Sequence, residues 1–95
     1  MEDMERGALE RLIAIAKRDS CQSRHVAEFL LAWWNARSCG GFDLTNLWAV
    51  DSEICDDMLI VFSMIAAHRM YPNTLGYADD FKAILRAWRP ELLEE

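Results

Sequence analysis

The sequence predicts an all-α fold, a compact single-domain bundle of four main helices plus one short connecting helix. Apolar residues recur at spacings of three and four in four separate stretches, which is typical of helices that bury one face. No stretch alternates apolar and polar residues as a half-buried strand does. The chain has 95 residues, 53% of them hydrophobic, which suffices for one domain (residues 1–95) with a core within residues 8–90.

The first two main helices are predicted over residues 4–18 and 23–38. Gly40 and Gly41 follow the second stretch and suit the C-terminal cap of a helix. Each stretch places its apolar residues at i, i+3, i+4 and i+7, with the second continuing to i+8: Leu9, Leu12, Ile13 and Ala16, then Val26, Phe29, Leu30, Trp33 and Trp34.

Three more helices are predicted in the second half of the chain. A short connecting helix over residues 44–49 begins after Asp43, and a long helix over residues 52–70 begins after a capping Asp51 or Ser52. The last helix begins at residue 77 or 78 and ends at residue 88, before Pro90. Residues 91–95 are expected to form a frayed acidic tail. The long helix has its main apolar stripe at Ile54, Met58, Val61, Phe62 and Ile65, joined by Cys55 and Leu59.

The charge and cysteine content favour a cytoplasmic protein that binds other proteins. The net charge is −6, which opposes direct binding to nucleic acid and favours a partner with a basic surface. Three cysteines are an odd number without close pairing, unlike the framework of a secreted mini-protein. The acidic first residues do not form a signal peptide, and the longest apolar stretch, residues 58–67, is too short to span a membrane.

Two groupings of reactive side chains are candidate sites for chemistry. Cys21, His25 and Glu28 lie at i, i+4 and i+7 and are metal-ligand types, but a structural zinc site needs about four ligands. Cys39 and His68 are the components of a thiol nucleophile, provided that the fold brings them together. The chain lacks a phosphate-binding glycine loop and a nucleophile-elbow motif. We therefore predict a protein without catalytic residues, cofactor or metal.

Acidic residues are concentrated in the middle of the chain. Between Arg37 and Arg69 there is no Lys or Arg. One interpretation is that these acids cap helices and complement helix dipoles, and the other is that they form an acidic patch for a basic partner. The acids of this stretch are Asp43, Asp51, Glu53, Asp56 and Asp57.

One side of the long helix begins acidic and becomes apolar. Two interpretations are open: this side docks a partner helix or a second copy of the chain, or Ile60 and Met64 are covered by the first helix or by the C-terminal segment. Trp48 is less constrained than Trp33 and Trp88, and an exposed Trp is a frequent anchor of protein interfaces. The residues of this side are Glu53, Asp57, Ile60, Met64 and His68.

Five short runs of the chain carry a family resemblance: Phe29 to Ala36, Cys39 to Leu44, His68 to Pro72, Thr74 to Tyr77 and Trp88 to Pro90. Over residues 9–92 the chain thereby resembles a family of short bacterial proteins of unknown function. The resemblance implies no activity and transfers no functional residue. It implies a setting on plasmids and integrative elements of proteobacteria, where small acidic inhibitors of host defence such as anti-CRISPR proteins also occur.

The function predicted from these observations is a non-catalytic protein-binding module. Its sharpest form is a mobile-element inhibitor that occupies a basic surface of a host defence complex. The first alternative is a structural homodimer, or a subunit of a larger assembly, with Ile60 and Met64 at the interface. The second alternative is a small thiol- or metal-dependent enzyme. The residues predicted to contact the partner are Trp48, Asp56, Asp57, Ile60 and Met64.

Overall fold

Four α-helices and two 3₁₀ segments make up the computed structural model, which describes residues 2–93. Residues 2–93 contain no β-strand, and the predicted all-α bundle with a short connecting helix is confirmed. The elements are α1 (Asp3–Ala16), α2 (Cys21–Cys39), the connecting helix (Leu44–Ala49, 3₁₀), α3 (Ser52–His68), α4 (Ala78–Trp88) and a C-terminal 3₁₀ turn (Pro90–Leu93).

Local capping sets the helix boundaries and accounts for their differences from the predicted ones. The hydroxyl of Ser20 accepts a hydrogen bond from the Ser23 amide at 3.0 Å, so α2 begins at Cys21 rather than at residue 23. α3 ends at His68 because Arg69 adopts the left-handed conformation, with φ of 53°. The prediction that this helix continues to residue 70 was therefore wrong by two residues.

A break in α2 was not predicted. Asn35 has φ of −162° and ψ of 82°, which is extended backbone within an otherwise helical run. Its side-chain oxygen accepts a hydrogen bond from the Ser38 amide at 3.2 Å, the pattern of an N-cap and its third helical residue. Asn35 thus ends the long part of α2 and begins a last short turn, which is followed by Gly40.

The core lies where α1 packs against α2, α3 and α4. The predicted apolar faces of α1 and α4 are confirmed, and Phe81 of α4 is fully buried at the centre. The rings of Trp33 and Trp34 meet Phe81 edge to face, at centroid distances of 5.7 and 6.0 Å. Each large apolar side chain buried in this way stabilises the fold by about 1.5–3 kcal/mol.

α3 is held mainly by α1. Arg11 of α1 donates two hydrogen bonds to Asp57 of α3, at 2.8 and 2.9 Å, and Glu5 lies 3.5 Å from His68. By contrast, the packing of α3 against α2 is slight. The two helices therefore leave a space between them, beside the connecting helix.

The orientation of α3 differs from the predicted one. Met58 and Val61 are buried as expected, but Met64 is also buried, at 1% exposure, because α1 covers that side of the helix. Leu59 and Phe62, which were assigned to the buried stripe, are exposed instead. Of the two interpretations of the mixed stripe, the structure supports coverage by the first helix.

The C-terminal segment ends in a 3₁₀ turn that was not predicted. Glu91 to Leu93 continue the 3₁₀ turn that begins at Pro90, and the Leu92 amide donates to the Arg89 carbonyl at 3.0 Å. The fraying of this tail stays a prediction, and its last two residues, 94 and 95, lie outside the described residues. Within residues 2–93, no helix has the length and apolar character needed to cross a bilayer.

Candidate functional site

An apolar groove lies between α2, the connecting helix and α3. Its cavity volume is about 290 Å³. No residue that lines it carries a charge. The apolar groove is lined by Phe29, Ala32, Trp33, Phe42, Leu44, Leu47, Met58, Leu59, Phe62 and Ile65.

The apolar groove has a fixed floor and an exposed rim. Phe29 of α2 and Met58 of α3 are buried and belong to the core. Phe42 meets Phe29 edge to face, with ring centroids 5.3 Å apart and an interplanar angle of 72°. At the rim, Leu59 is 51% exposed and Phe62 is 58% exposed. Because the floor is part of the core, the apolar groove exists before any partner binds.

Exposed apolar side chains are concentrated on the connecting helix and α3, two of the elements that form this groove. Leu44 is 67% exposed and Trp48 of the connecting helix is 85% exposed. The described residues include eight large apolar side chains that are exposed, and Leu44, Trp48, Leu59 and Phe62 are four of them. The other four are Met4, Met70, Tyr71 and Leu92. A cluster of this kind marks an interaction surface more strongly than a single exposed apolar residue does.

The connecting helix is positioned by turn and cap residues. Gly40 has φ of 97°, a conformation that glycine adopts readily, and it turns the chain away from the end of α2. Asp43 then accepts hydrogen bonds from the Thr45 hydroxyl at 2.8 Å and the Thr45 amide at 2.9 Å. These bonds to Thr45 lower the pKa of Asp43, which stays ionised between the apolar Phe42 and Leu44.

Acidic residues occur on both of the later elements of the apolar groove, but they do not line it. Asp51 precedes α3 and is linked to α2 by Gln22, whose side-chain oxygen accepts from the Asp51 amide at 2.7 Å. Glu53 and Asp56 are exposed on the first turns of α3, where they line the neighbouring concavity between α1 and α3 together with Arg11 and Arg18. The apolar groove and these two acids therefore lie on different sides of α3.

The five predicted contact residues fall into two groups. Trp48 and Asp56 are exposed: Trp48 follows the groove residue Leu47 on the connecting helix, and Asp56 lines the concavity between α1 and α3. Asp57 is bonded to Arg11 and its side chain is only 13% exposed. Ile60 is half-buried and Met64 is buried in the core. The prediction that Asp57 and Met64 face a partner was wrong, because α1 occupies that side of α3.

Sequence reasoning missed the rim residues Leu44, Leu59 and Phe62. Leu59 and Phe62 are three residues apart and thus neighbours on the helix surface, which is a visible signal. The spacing alone predicts that both residues are buried, because it does not show that the apolar arc of α3 is wider than the face that α1 covers.

The structure separates the two components of the predicted thiol site. Cys39 is buried at the end of α2, and burial raises the pKa of its thiol despite the opposing charge of Arg89. His68 instead lies against Glu5 of α1. A buried protonated thiol without a neighbouring base is a poor nucleophile.

The three candidate metal ligands of α2 do not form a common site. Cys21 is exposed, and Glu28 forms an ion pair with Arg24 at 3.3 Å. His25 has a buried Nδ1 atom without a hydrogen-bond partner within the described part of the chain. Across residues 2–93, no three His, Cys, Asp or Glu side chains are grouped so that they could hold a metal ion.

A second concavity follows the break in α2. It has a volume of about 740 Å³ and is lined largely by polar side chains, among them Asn35, Arg37, Ser38 and Asn73. Asn35 and Ser38 are already hydrogen-bonded to each other. The apolar groove, with its buried floor and exposed rim, is therefore the better candidate for a binding site.

A known family matches most of the chain. The model of a family of unknown function, DUF7673, matches residues 6–89. Searches against curated proteins and against solved structures give no significant match. The matched segment includes α2, the connecting helix and α3, and with them every residue that lines the apolar groove.

Proposed function

Because this chain belongs to a family of unknown function, DUF7673, we propose its function from the surface that it presents: it is a non-catalytic protein-binding module. The partner inserts apolar side chains into the apolar groove, and the net negative charge of the protein favours a partner with a basic surface. The single observation that carries this proposal is the exposure of Leu59 and Phe62 above a buried apolar floor.

The energetics favour a protein partner at this surface. Leu59 and Phe62 leave about half of their surface in water although they belong to the most apolar helix of the chain. Covering that surface contributes about 25 cal/mol for each Å² removed from water. Trp48 adds an aromatic side chain of the kind that dominates interface hot spots.

The negative charge of the protein supports association by steering. The net charge is −6, and exposed Asp43 lies between the groove residues Phe42 and Leu44 in sequence. Glu53 and Asp56 instead share a concavity with Arg11 and Arg18 of α1. Exposed charges of one sign accelerate encounter with the opposite sign, and salt screens this effect within a Debye length of about 8 Å at physiological ionic strength. Binding by this module should therefore weaken as salt is added.

The test is affinity capture from the native host with matched variants of the protein. Leu59→Gln combined with Phe62→Gln removes the apolar rim without adding charge. Met4→Gln is the control, because Met4 is equally apolar and exposed but does not line the apolar groove. Surface changes of this kind alter stability by only about 0.5 kcal/mol each, which thermal melting verifies.

The wild type and the Met4→Gln variant should retain the same partner. The double variant should retain about tenfold less of it, or lower, since two apolar anchors are lost. Equal retention by all three proteins would show that the apolar groove is not the binding surface. Retention that persists at about 1 M salt, where the Debye length is near 3 Å, would count against electrostatic steering and leave the apolar groove as the binding surface.

Of the other functions predicted from the sequence, one stays a prediction and one is not carried forward. Inhibition of a host defence complex by a mobile-element protein stays a prediction about the identity of the partner. A homodimer built on Ile60 and Met64 is not carried forward, because Met64 is buried where α1 packs on α3.

A further inference from the structure

We infer that the concavity at the break in α2 (the break concavity) binds a small ligand that combines an aromatic ring with a phosphate or carboxylate group. This inference goes beyond the proposed function and does not depend on it, because the exposed rim residues of the apolar groove do not line the break concavity. It follows from the size of the break concavity, from its aromatic and amide side chains and from its one charged residue. The residues that carry the inference are Trp33, Trp34, Arg37, Tyr71 and Asn73.

The break concavity lies between two segments that are joined to each other. One wall is α2 on both sides of the break, residues 32–38, and the other is the turn after α3 that contains Tyr71 and Asn73. The indole of Trp33 donates a hydrogen bond to the Met70 carbonyl at 2.9 Å and so links the two walls. The volume of about 740 Å³ lies within the range of about 300–1,000 Å³ that small-molecule sites have.

Both walls are anchored in the core. The rings of Trp33 and Trp34 meet Phe81 edge to face. The opposite wall is held by Pro72, which is fully buried and whose carbonyl accepts from the Tyr77 amide at 3.1 Å. A site whose walls are ordered beforehand loses less entropy when a ligand binds.

The charge in the break concavity favours an anion. One cation, Arg37, lines it and no acid does, in a chain whose net charge is −6. Arg37 is exposed, and no carboxylate among residues 2–93 forms an ion pair with it. A guanidinium group presents parallel N–H donors that match two oxygens of a phosphate or carboxylate. By contrast, the arginines between α1 and α3 share their concavity with acids, among them Asp56 and Asp57.

The remaining side chains favour a ring in the same ligand. Tyr71 is 61% exposed, and Trp33 and Trp34 are half-buried along the wall formed by α2. Aromatic side chains offer planar apolar area that packs against another ring. Asn73 is exposed and carries both a donor and an acceptor, which suits the polar edge of a heterocycle. A ligand with a ring and an anionic group uses these contacts together with Arg37.

The experiment is calorimetric titration of the whole protein with two probes, adenosine 5′-monophosphate and indole-3-acetate. Adenosine and indole carry the ring alone, whereas inorganic phosphate and acetate carry the charge alone. At least one probe should bind with a dissociation constant below about 1 mM, and its two halves should each bind at least about tenfold more weakly. The probe that binds distinguishes a nucleotide from an aromatic acid as the source of the ligand.

Matched variants locate the binding. Arg37→Gln should weaken the probe at least about tenfold, whereas Arg86→Gln, which changes an exposed arginine of α4 outside the break concavity, should leave it unchanged. Tyr71→Ala should weaken it several-fold. The double variant with Leu59→Gln and Phe62→Gln should bind the probe like the wild type, since those residues line only the apolar groove.

Nuclear magnetic resonance of the indole N–H groups provides an independent readout. The signals of Trp33 and Trp34 should shift as the probe is added, while that of Trp48 should not. The absence of saturable binding of either probe below about 10 mM would overturn the inference. Equal affinities for a probe and its uncharged ring, or for the wild type and Arg37→Gln, would overturn the anionic ligand. Loss of probe binding in the double variant would overturn the placement of the site.

Discussion

Two of the three cysteines show how the environment of a single residue determines its chemistry. Cys21 is exposed at the start of α2, whereas Cys39 is buried at the end of the same helix. Burial raises the pKa of Cys39 and keeps the thiol protonated at neutral pH. Since the thiolate is the reactive form, accessibility and charge state both protect Cys39.

Thiol labelling should therefore be strongly selective in the folded protein. We expect Cys21 to react with an aromatic disulfide reagent at least about tenfold faster than Cys39 at neutral pH. The rates are read by mass spectrometry of digests taken over time, and the unfolded protein provides the control in which all cysteines react. Comparable rates for Cys21 and Cys39 in the folded state would contradict the buried environment of Cys39.

Tyr77 provides a second prediction at the scale of the residue. Its hydroxyl donates to Glu10 at 3.0 Å and accepts from Arg6 at 3.1 Å. Burial and the bond to Glu10 raise the pKa of Tyr77 above its ordinary value. The folded state therefore holds this proton more tightly than the unfolded state does. The stability that this provides is present below the ordinary tyrosine pKa of about 10 and is lost as the pH rises through the folded pKa.

The comparison with Tyr77→Phe isolates this effect. At neutral pH the variant should lose about 1 kcal/mol of unfolding free energy, the net value of a hydrogen bond. Above about pH 10 the advantage of the wild type should shrink, because the unfolded tyrosine ionises first. Urea unfolding of both proteins over this range measures the difference. A difference that stays constant with pH would refute the raised pKa.

At the scale of the element, the two glycines after α2 have different roles. Gly40 has φ of 97° and ψ of 158°, which is accessible almost only to glycine, whereas Gly41 does not have a positive φ. A Cβ atom at either position would meet no neighbouring atom within 4 Å. The two positions therefore differ in backbone strain and not in space.

Alanine substitution should separate the two glycines. Gly40→Ala should lower the unfolding free energy by about 1–3 kcal/mol, the cost of a side chain in that conformation. Gly41→Ala should be neutral or stabilise by about 0.4–1 kcal/mol through the entropy of the unfolded chain. Chemical denaturation provides both values. Equal losses in the two variants would show that the turn does not depend on the conformation of Gly40.

α3 shows how far periodicity predicts an element. Its start after Asp51 and the burial of Met58 and Val61 follow from capping and spacing. Its rotation does not, because apolar residues occupy most of its circumference and periodicity then defines no single face. Contacts with α1, through Arg11 and Glu5, decide which apolar residues remain exposed.

At the scale of the molecule, α1 organises the bundle by packing against all three other helices. The radius of gyration is 12.3 Å, close to the value of about 12 Å expected for a globular chain of this length. The fold class and the helix count could be predicted because amphipathic spacing is local in sequence. The apolar groove could not, because it depends on the slight packing of α3 against α2.

The role of each acid of α3 depends on how the whole molecule packs. Asp56 and Asp57 are neighbours in sequence, yet one is exposed and the other is bonded to Arg11 of α1. Reversal of Asp56 to Lys should therefore weaken partner binding without affecting the fold. Reversal of Asp57 to Lys should instead destabilise the protein, by about 1 kcal/mol or more, because it breaks the α1–α3 link and opposes Arg11. The melting temperature and the partner binding of the two variants are measured side by side. Asp56→Lys and Asp57→Lys variants that lower the melting temperature equally and weaken binding equally would contradict these assignments.

Photo-crosslinking at the groove rim tests the central claim most directly. A photoactivatable phenylalanine analogue replaces Leu59 in one protein and Met4, as the control, in another, and both are irradiated in the cells that naturally carry the protein. We expect one dominant adduct with another protein from position 59 and none from position 4. An identical adduct pattern from both positions, or only adducts of the chain with itself, would contradict a partner protein seated in the apolar groove.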